Sequence, residues 1–230
     1  MGRPEANGAG GAFGETPSRD ATTAPSQAEP AHAEPVGAEP AGAPTRSEPA
    51  EPSDRLFVAI WPPPAVVGAL AGALASHGRP AAGAVRWTTP DQWHVTVAFL
   101  GTVPRSRVGE VGSVLVAAVD RATAAPEACL GPMTERLGRR VLCVPVRGID
   151  DVARRVRLAM GSLFPDAGLD EPFQGHLTLA RARGRRTVPS SLAGAPLEAR
   201  WRVRELDLVR SELDEAGARY TTLVTATVRS

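Results

Sequence analysis

Trp93-His94-Val95-Thr96-Val97-Ala98-Phe99-Leu100-Gly101 and Phe173-Gln174-Gly175-His176-Leu177-Thr178-Leu179-Ala180-Arg181 decide how this chain folds. Both stretches alternate polar and apolar residues from the histidine onward, as a strand does when one of its faces is buried. His94 and Thr96 share one face while Val95 and Val97 share the other, and His176 and Thr178 stand in the same relation to Leu177 and Leu179. One His-x-Thr face is a common polar strand surface. Two of them, 82 residues apart and using two of the four histidines of the chain, point to one site assembled from two similar halves.

The flanking sequence repeats a strand–helix grammar around each copy. Arg55–Trp61 reads as a strand ended by Pro62-Pro63-Pro64, and the prolines open a helix near residue 64 with Val67, Leu70, Ala71 and Leu74 on one side and His77-Gly78 at its close. Val85-Arg86-Trp87 is a short strand, Thr88–Asp91 a turn, and Pro104 opens a helix with Val108, Val111, Leu115, Ala118 and Val119 as its apolar stripe. In the second half, residues 127–137 and 141–147 read as strands around Gly138-Arg139-Arg140. Asp150 or Asp151 caps a helix carrying Val152, Val156, Leu158, Ala159 and Leu163. A loop over Asp170–Gly175, a short helix after Pro189 and two long strands, 200–213 and 219–228, complete the chain, the last two paired as a hairpin. The expected class is α+β, with mixed, mostly antiparallel sheets.

The break in composition falls near Arg55. Residues 1–54 hold one aromatic, Phe13, and approximate Ala-Glu-Pro repeats at Ala28, Ala33 and Ala38, so they are expected to form a disordered acidic tail, with a later translation start as the alternative. The tail carries three arginines against nine carboxylates (−6), which leaves 23 arginines against 16 carboxylates (+7) for residues 55–230. A basic body suits a polyanionic ligand, although the total absence of lysine also fits a general arginine bias. Cys129 and Cys143 have neither disulfide-framework nor Cys-x-x-Cys spacing, and no stretch reaches the roughly 18 apolar residues of a membrane span. A soluble, cytoplasmic, monomeric protein with no membrane association is expected.

Neutral imidazole has a pKa near about 6.5, so two histidines can hold one protonated and one neutral ring together. That pair suits general acid–base cleavage of a phosphodiester, with the two threonine hydroxyls donating to the non-bridging oxygens. A zinc site needs a third protein ligand, and no local Cys or His cluster supplies one; His32 lies in the tail and His77 at a helix end. Phe57 and Trp87 are candidates for base stacking or for core packing, and Trp93 for the core.

These residues, with Arg55-Leu56-Phe57-Val58-Ala59-Ile60, Arg86-Trp87, and Leu206–Leu213 followed by Gly217 and Tyr220, resemble the 2H phosphoesterase superfamily. Within it they are most similar to the RNA 2′,3′-cyclic phosphodiesterases, also called 2′-5′ RNA ligases. The resemblance covers residues 55–230 and implies a two-lobed domain with pseudo-twofold symmetry around a central cleft. It implies hydrolysis of an RNA 2′,3′-cyclic phosphate end to a 2′-phosphate without metal or cofactor. His94 then matches the proton donor to the 3′ oxygen, His176 the proton acceptor, Thr96 and Thr178 the phosphate-holding hydroxyls, and Arg181 a phosphate-contacting arginine. Strict alternation points Arg181 away from His176, so its role needs a bulge, twist or strand end. Ligation of RNA ends, binding of RNA ends or nucleotides without turnover, and smaller cyclic phosphates stand as alternatives.

Overall fold

The expected first strand begins two residues early, as β1, Ser53–Ile60. The computed structural model describes residues 51–76, 83–122, 124–214 and 217–229, so the tail, His32 and His77 lie outside the described residues. After β1 come α1 (Pro64–Ser76), β2 (Val85–Trp87), a 3-10 turn at Pro90–Gln92, β3 (Val95–Pro104) and α2 (Val108–Asp120). The second half supplies β4 (Glu127–Leu130), β5 (Glu135–Leu137), β6 (Val141–Arg147), α3 (Asp150–Leu163), β7 (His176–Ala182), β8 (Ala199–Arg202), β9 (Glu205–Asp214) and β10 (Gly217–Thr227).

Three expectations need correction. The strand over 127–137 is two strands, because the chain turns at Gly131-Pro132 and proline has no N–H to give a ladder. The strand over 200–213 divides at Val203 into β8, which pairs with β4, and β9, which pairs with β1 and β10. The N-cap of α3 is Ile149, and Asp150 instead accepts the Gly148 N–H at 3.2 Å.

The strand order is β10-β9-β1-β3-β7-β6-β4-β8, with β2 also on β7 and β5 also on β6, and every one of these pairs is antiparallel. Four strands of that path lie on either side of the β3–β7 junction, which is held at Val95 opposite Leu177. The α+β class and the two-sided arrangement match the expectation. Val95, Val97, Ala98 and Leu100 of β3 and Leu177, Leu179 and Ala180 of β7 are buried, each branched side chain contributing about 1.5–3 kcal/mol. α3 packs on β3, α2 on β10 and α3, and α1 on β8. Trp93 is 1% exposed and part of this core.

Both central strands bulge just past their threonine. Opposite β1 the register jumps from Ala98 to Thr96, so Val97 is extra; opposite β6 it jumps from Ala180 to Thr178, so Leu179 is extra. Two consecutive residues then point inward, Val97-Ala98 and Leu179-Ala180, and the next residue returns to the histidine face. On β7 that residue is Arg181, which resolves the alternation problem; on β3 it is Phe99. Each bulge is held from elsewhere in the chain. The Leu179 carbonyl accepts the Thr88 N–H (2.9 Å) and shares the Thr88 hydroxyl with the Thr178 carbonyl (2.8 and 2.9 Å), while Trp93 Nε1 donates to that same hydroxyl at 3.0 Å. The Val97 carbonyl accepts Arg157 Nη1 at 3.3 Å, and Arg157 Nη2 donates to the Glu171 carbonyl at 2.8 Å.

Candidate active site

Backbone carbonyls orient both imidazoles in the same way. His94 lies just before β3 and its Nδ1 is 2.8 Å from the Gln92 carbonyl; His176 opens β7 and its Nδ1 is 2.7 Å from the Gln174 carbonyl. A carbonyl oxygen only accepts, so Nδ1 carries the proton and Nε2 is the nitrogen left for chemistry in each ring. Gln92 is itself anchored, donating from Nε2 to the Ala218 carbonyl of β10 at 2.8 Å.

His94, Thr96, His176, Thr178 and Arg181 line one cavity of about 210 Å³. The expected acid–base pair, both hydroxyls and the arginine are therefore brought together. Thr88, Gln92, Phe99, Ser211 and Tyr220 line it as well. A larger cavity of about 270 Å³ opens beside His176 between Glu135, Cys143 and Phe173, but it holds only one of the two histidines, so the paired chemistry belongs to the smaller one. Phe57 also reaches the 210 Å³ cavity, yet it is only 3% exposed.

The surroundings of His94 are aromatic. Its ring centroid lies 4.9 Å from Phe57, 5.2 Å from Trp61 and 5.1 Å from Tyr220, the last edge-on. Burial in this box, reinforced by the nearby charges of Arg181 and His176 and opposed by the hydrogen bond to Gln92, lowers the His94 pKa from 6.5 to about 4. The folded chain therefore holds His94 neutral where the unfolded chain would protonate it. Stability is present in full above pH 6.5 and is lost as the pH falls toward 4, by on the order of 3 kcal/mol. Burial raises the Tyr220 pKa, with Arg181 and Arg86 working against it, so its phenol keeps its proton at neutral pH and can donate.

Gly175 sets the position of His176. Its surroundings are tight: the Gly175 carbonyl accepts the Val146 N–H at 2.7 Å, and a Cβ at residue 175 would collide with the Val146 carbonyl oxygen. Gly175→Ala should push the start of β7 off β6. The expected result is a loss of about 1–3 kcal/mol in a denaturant titration together with at least a tenfold drop in turnover; an unchanged rate would show that His176 tolerates the shift.

Sequence reasoning missed Phe99, Thr88, Gln92 and Ser211. Phe99 falls on the core face by alternation and reaches the cleft only through the bulge. The signal was there in the parallel with Arg181, which stands at the same offset from its histidine.

A two-lobed antiparallel sheet that presents a His-x-Thr pair from each central strand is the arrangement of the 2H phosphoesterases, and this chain belongs to that superfamily, a class of phosphodiesterase-type enzymes. Among solved structures it is similar to TT0787 of Thermus thermophilus, with 29% identity over 76% of this chain and 98% of that one at a TM-score of 0.64. It is also similar to Escherichia coli LigT, at 28% identity over 77% and 99% of the two chains with a TM-score of 0.57, and to a phosphoesterase at 26% identity over 77% and 99% with a TM-score of 0.59. No sequence-family model matches the chain, and no curated protein matches it by sequence.

Proposed function

We propose that the chain hydrolyses a terminal 2′,3′-cyclic phosphate of RNA to the 2′-phosphate, without a metal. The observation that carries this reading is the convergence of His94, Thr96, His176 and Thr178 on one small cavity beside Arg181. Water attacks phosphorus, one imidazole Nε2 takes its proton, the bond from phosphorus to the 3′ oxygen breaks, and the other imidazole protonates that oxygen. Each transfer is worth typically 10²–10⁴-fold. The Thr96 and Thr178 hydroxyls and the Arg181 guanidinium meet the charge that grows on the non-bridging oxygens. LigT has been solved with phosphate and with 3′-AMP, which supports a nucleotide or RNA end as the ligand here.

The resemblance makes His94 the donor and His176 the acceptor. The lowered His94 pKa favours the opposite order, because a ring that is neutral at pH 7 enters as a base. An anionic phosphate offsets the charges of Arg181 and His176 and draws a proton back to His94, which reconciles the donor role with the burial. Phe57 serves as the packed wall that orients His94.

The test is an assay of purified protein on an oligonucleotide ending in a 2′,3′-cyclic phosphate, in the presence of EDTA. The expected product is the 2′-phosphate at an undiminished rate. Ligation to a 5′-hydroxyl end as the main outcome would make the reverse reaction the principal role, and loss of activity in EDTA would sink the metal-independent scheme.

A further inference from the structure

We propose that Phe99, with Arg55 and Ser211, forms a nucleobase-stacking subsite at one end of the cleft, which takes the base of the nucleotide whose phosphate lies between Thr96 and Thr178. The inference rests on the proposed function and names how its substrate is held.

The two bulges make the ends of the cleft equivalent in geometry and opposite in chemistry. Arg181 and Phe99 occupy the same place, five residues past their histidines and one step beyond a bulge, but β3 and β7 run antiparallel, so they mark opposite ends. The Arg181 end is cationic: Arg86 of β2 pairs directly with it across the ladder. The other end is aromatic. Phe99 is 45% exposed and is the only exposed aromatic side chain among the described residues, whereas Phe57 is closed off by packing on His94 and Tyr220.

A ring held open to water in a cavity that also contains both histidines costs apolar exposure, and a flat apolar ligand recovers it. Arg55 lies over the Phe99 ring, with its guanidinium carbon 5.4 Å from the ring centroid. Ser211, opposite Arg55 in the β1–β9 pair, lines the same cavity and adds a hydroxyl for a base edge. A nucleotide has the matching polarity, with its phosphate at one end and a π-face at the other. Stacking on an aromatic ring accepts every base, so this subsite adds affinity for nucleosides with little sequence preference.

The experiment is calorimetric titration of the full chain and its variants with adenosine 2′-phosphate and with inorganic phosphate. Phe99→Ala should weaken adenosine 2′-phosphate about 5- to 100-fold and leave phosphate within about twofold, and Phe99→Tyr should restore the nucleotide affinity. Equal losses for both ligands, no loss for either, or a wild-type protein that prefers neither would overturn the subsite. Turnover is scored separately: wild-type protein that binds the nucleotide through Phe99 but leaves the cyclic phosphate intact refutes the hydrolase reading and keeps the subsite.

Discussion

His176→Ala should lower turnover of a 2′,3′-cyclic-phosphate oligonucleotide by about 10²–10⁴-fold. The ring opens β7 and takes no part in the buried core, so the variant should unfold at close to the wild-type denaturant midpoint. As the acceptor, His176 is needed whatever group leaves. An aryl phosphodiester that releases p-nitrophenolate should therefore suffer in the same range, since the attacking water still needs a base. A variant as fast as wild type on either substrate removes His176 from the chemistry.

His94→Gln should cost a similar 10²–10⁴-fold on the cyclic phosphate but less than about tenfold on the aryl ester, because nitrophenolate leaves without a proton. The reverse pattern between the two histidines would exchange their roles, as the low His94 pKa favours. The same variant carries a second signature. Wild-type stability should fall as the pH drops from 6.5 toward 4, while the glutamine variant, with no imidazole to protonate, should lack the part of that loss set by His94, on the order of 3 kcal/mol. Denaturant midpoints measured across that window in both proteins check it.

The doubled motif carried much of the site. His94, Thr96, His176 and Thr178 were legible because a strand puts alternate residues on one face, and the first step of each motif obeys that rule. Beyond the threonines alternation fails, since a bulge is created by the partner strand: Val97 and Leu179 look like ordinary core residues until β1 and β6 are paired beside them. Arg181 was recovered only by its resemblance to a phosphate-binding residue, and Phe99 had no such guide. Most element boundaries followed from prolines and apolar periodicity. Where two strands were run together, at 127–137 and 200–213, the break depends on which neighbour each segment pairs with, a long-range fact that local spacing does not hold.

Thr88 and Arg157 give the bulges a consequence for how the protein comes apart. Thr88, from the first half of the chain, satisfies the bulge of β7, and Arg157, from the second half, satisfies the bulge of β3. Each half thus holds a group that the other half's catalytic strand needs, and separating the two would strand polar backbone on both sides. The lobes are interlocked rather than merely adjacent. They should open as a single cooperative unit, with the amides of β3 and β7 exchanging hydrogen at one common free energy. A substrate that grips the cleft from both strands would protect the two lobes together.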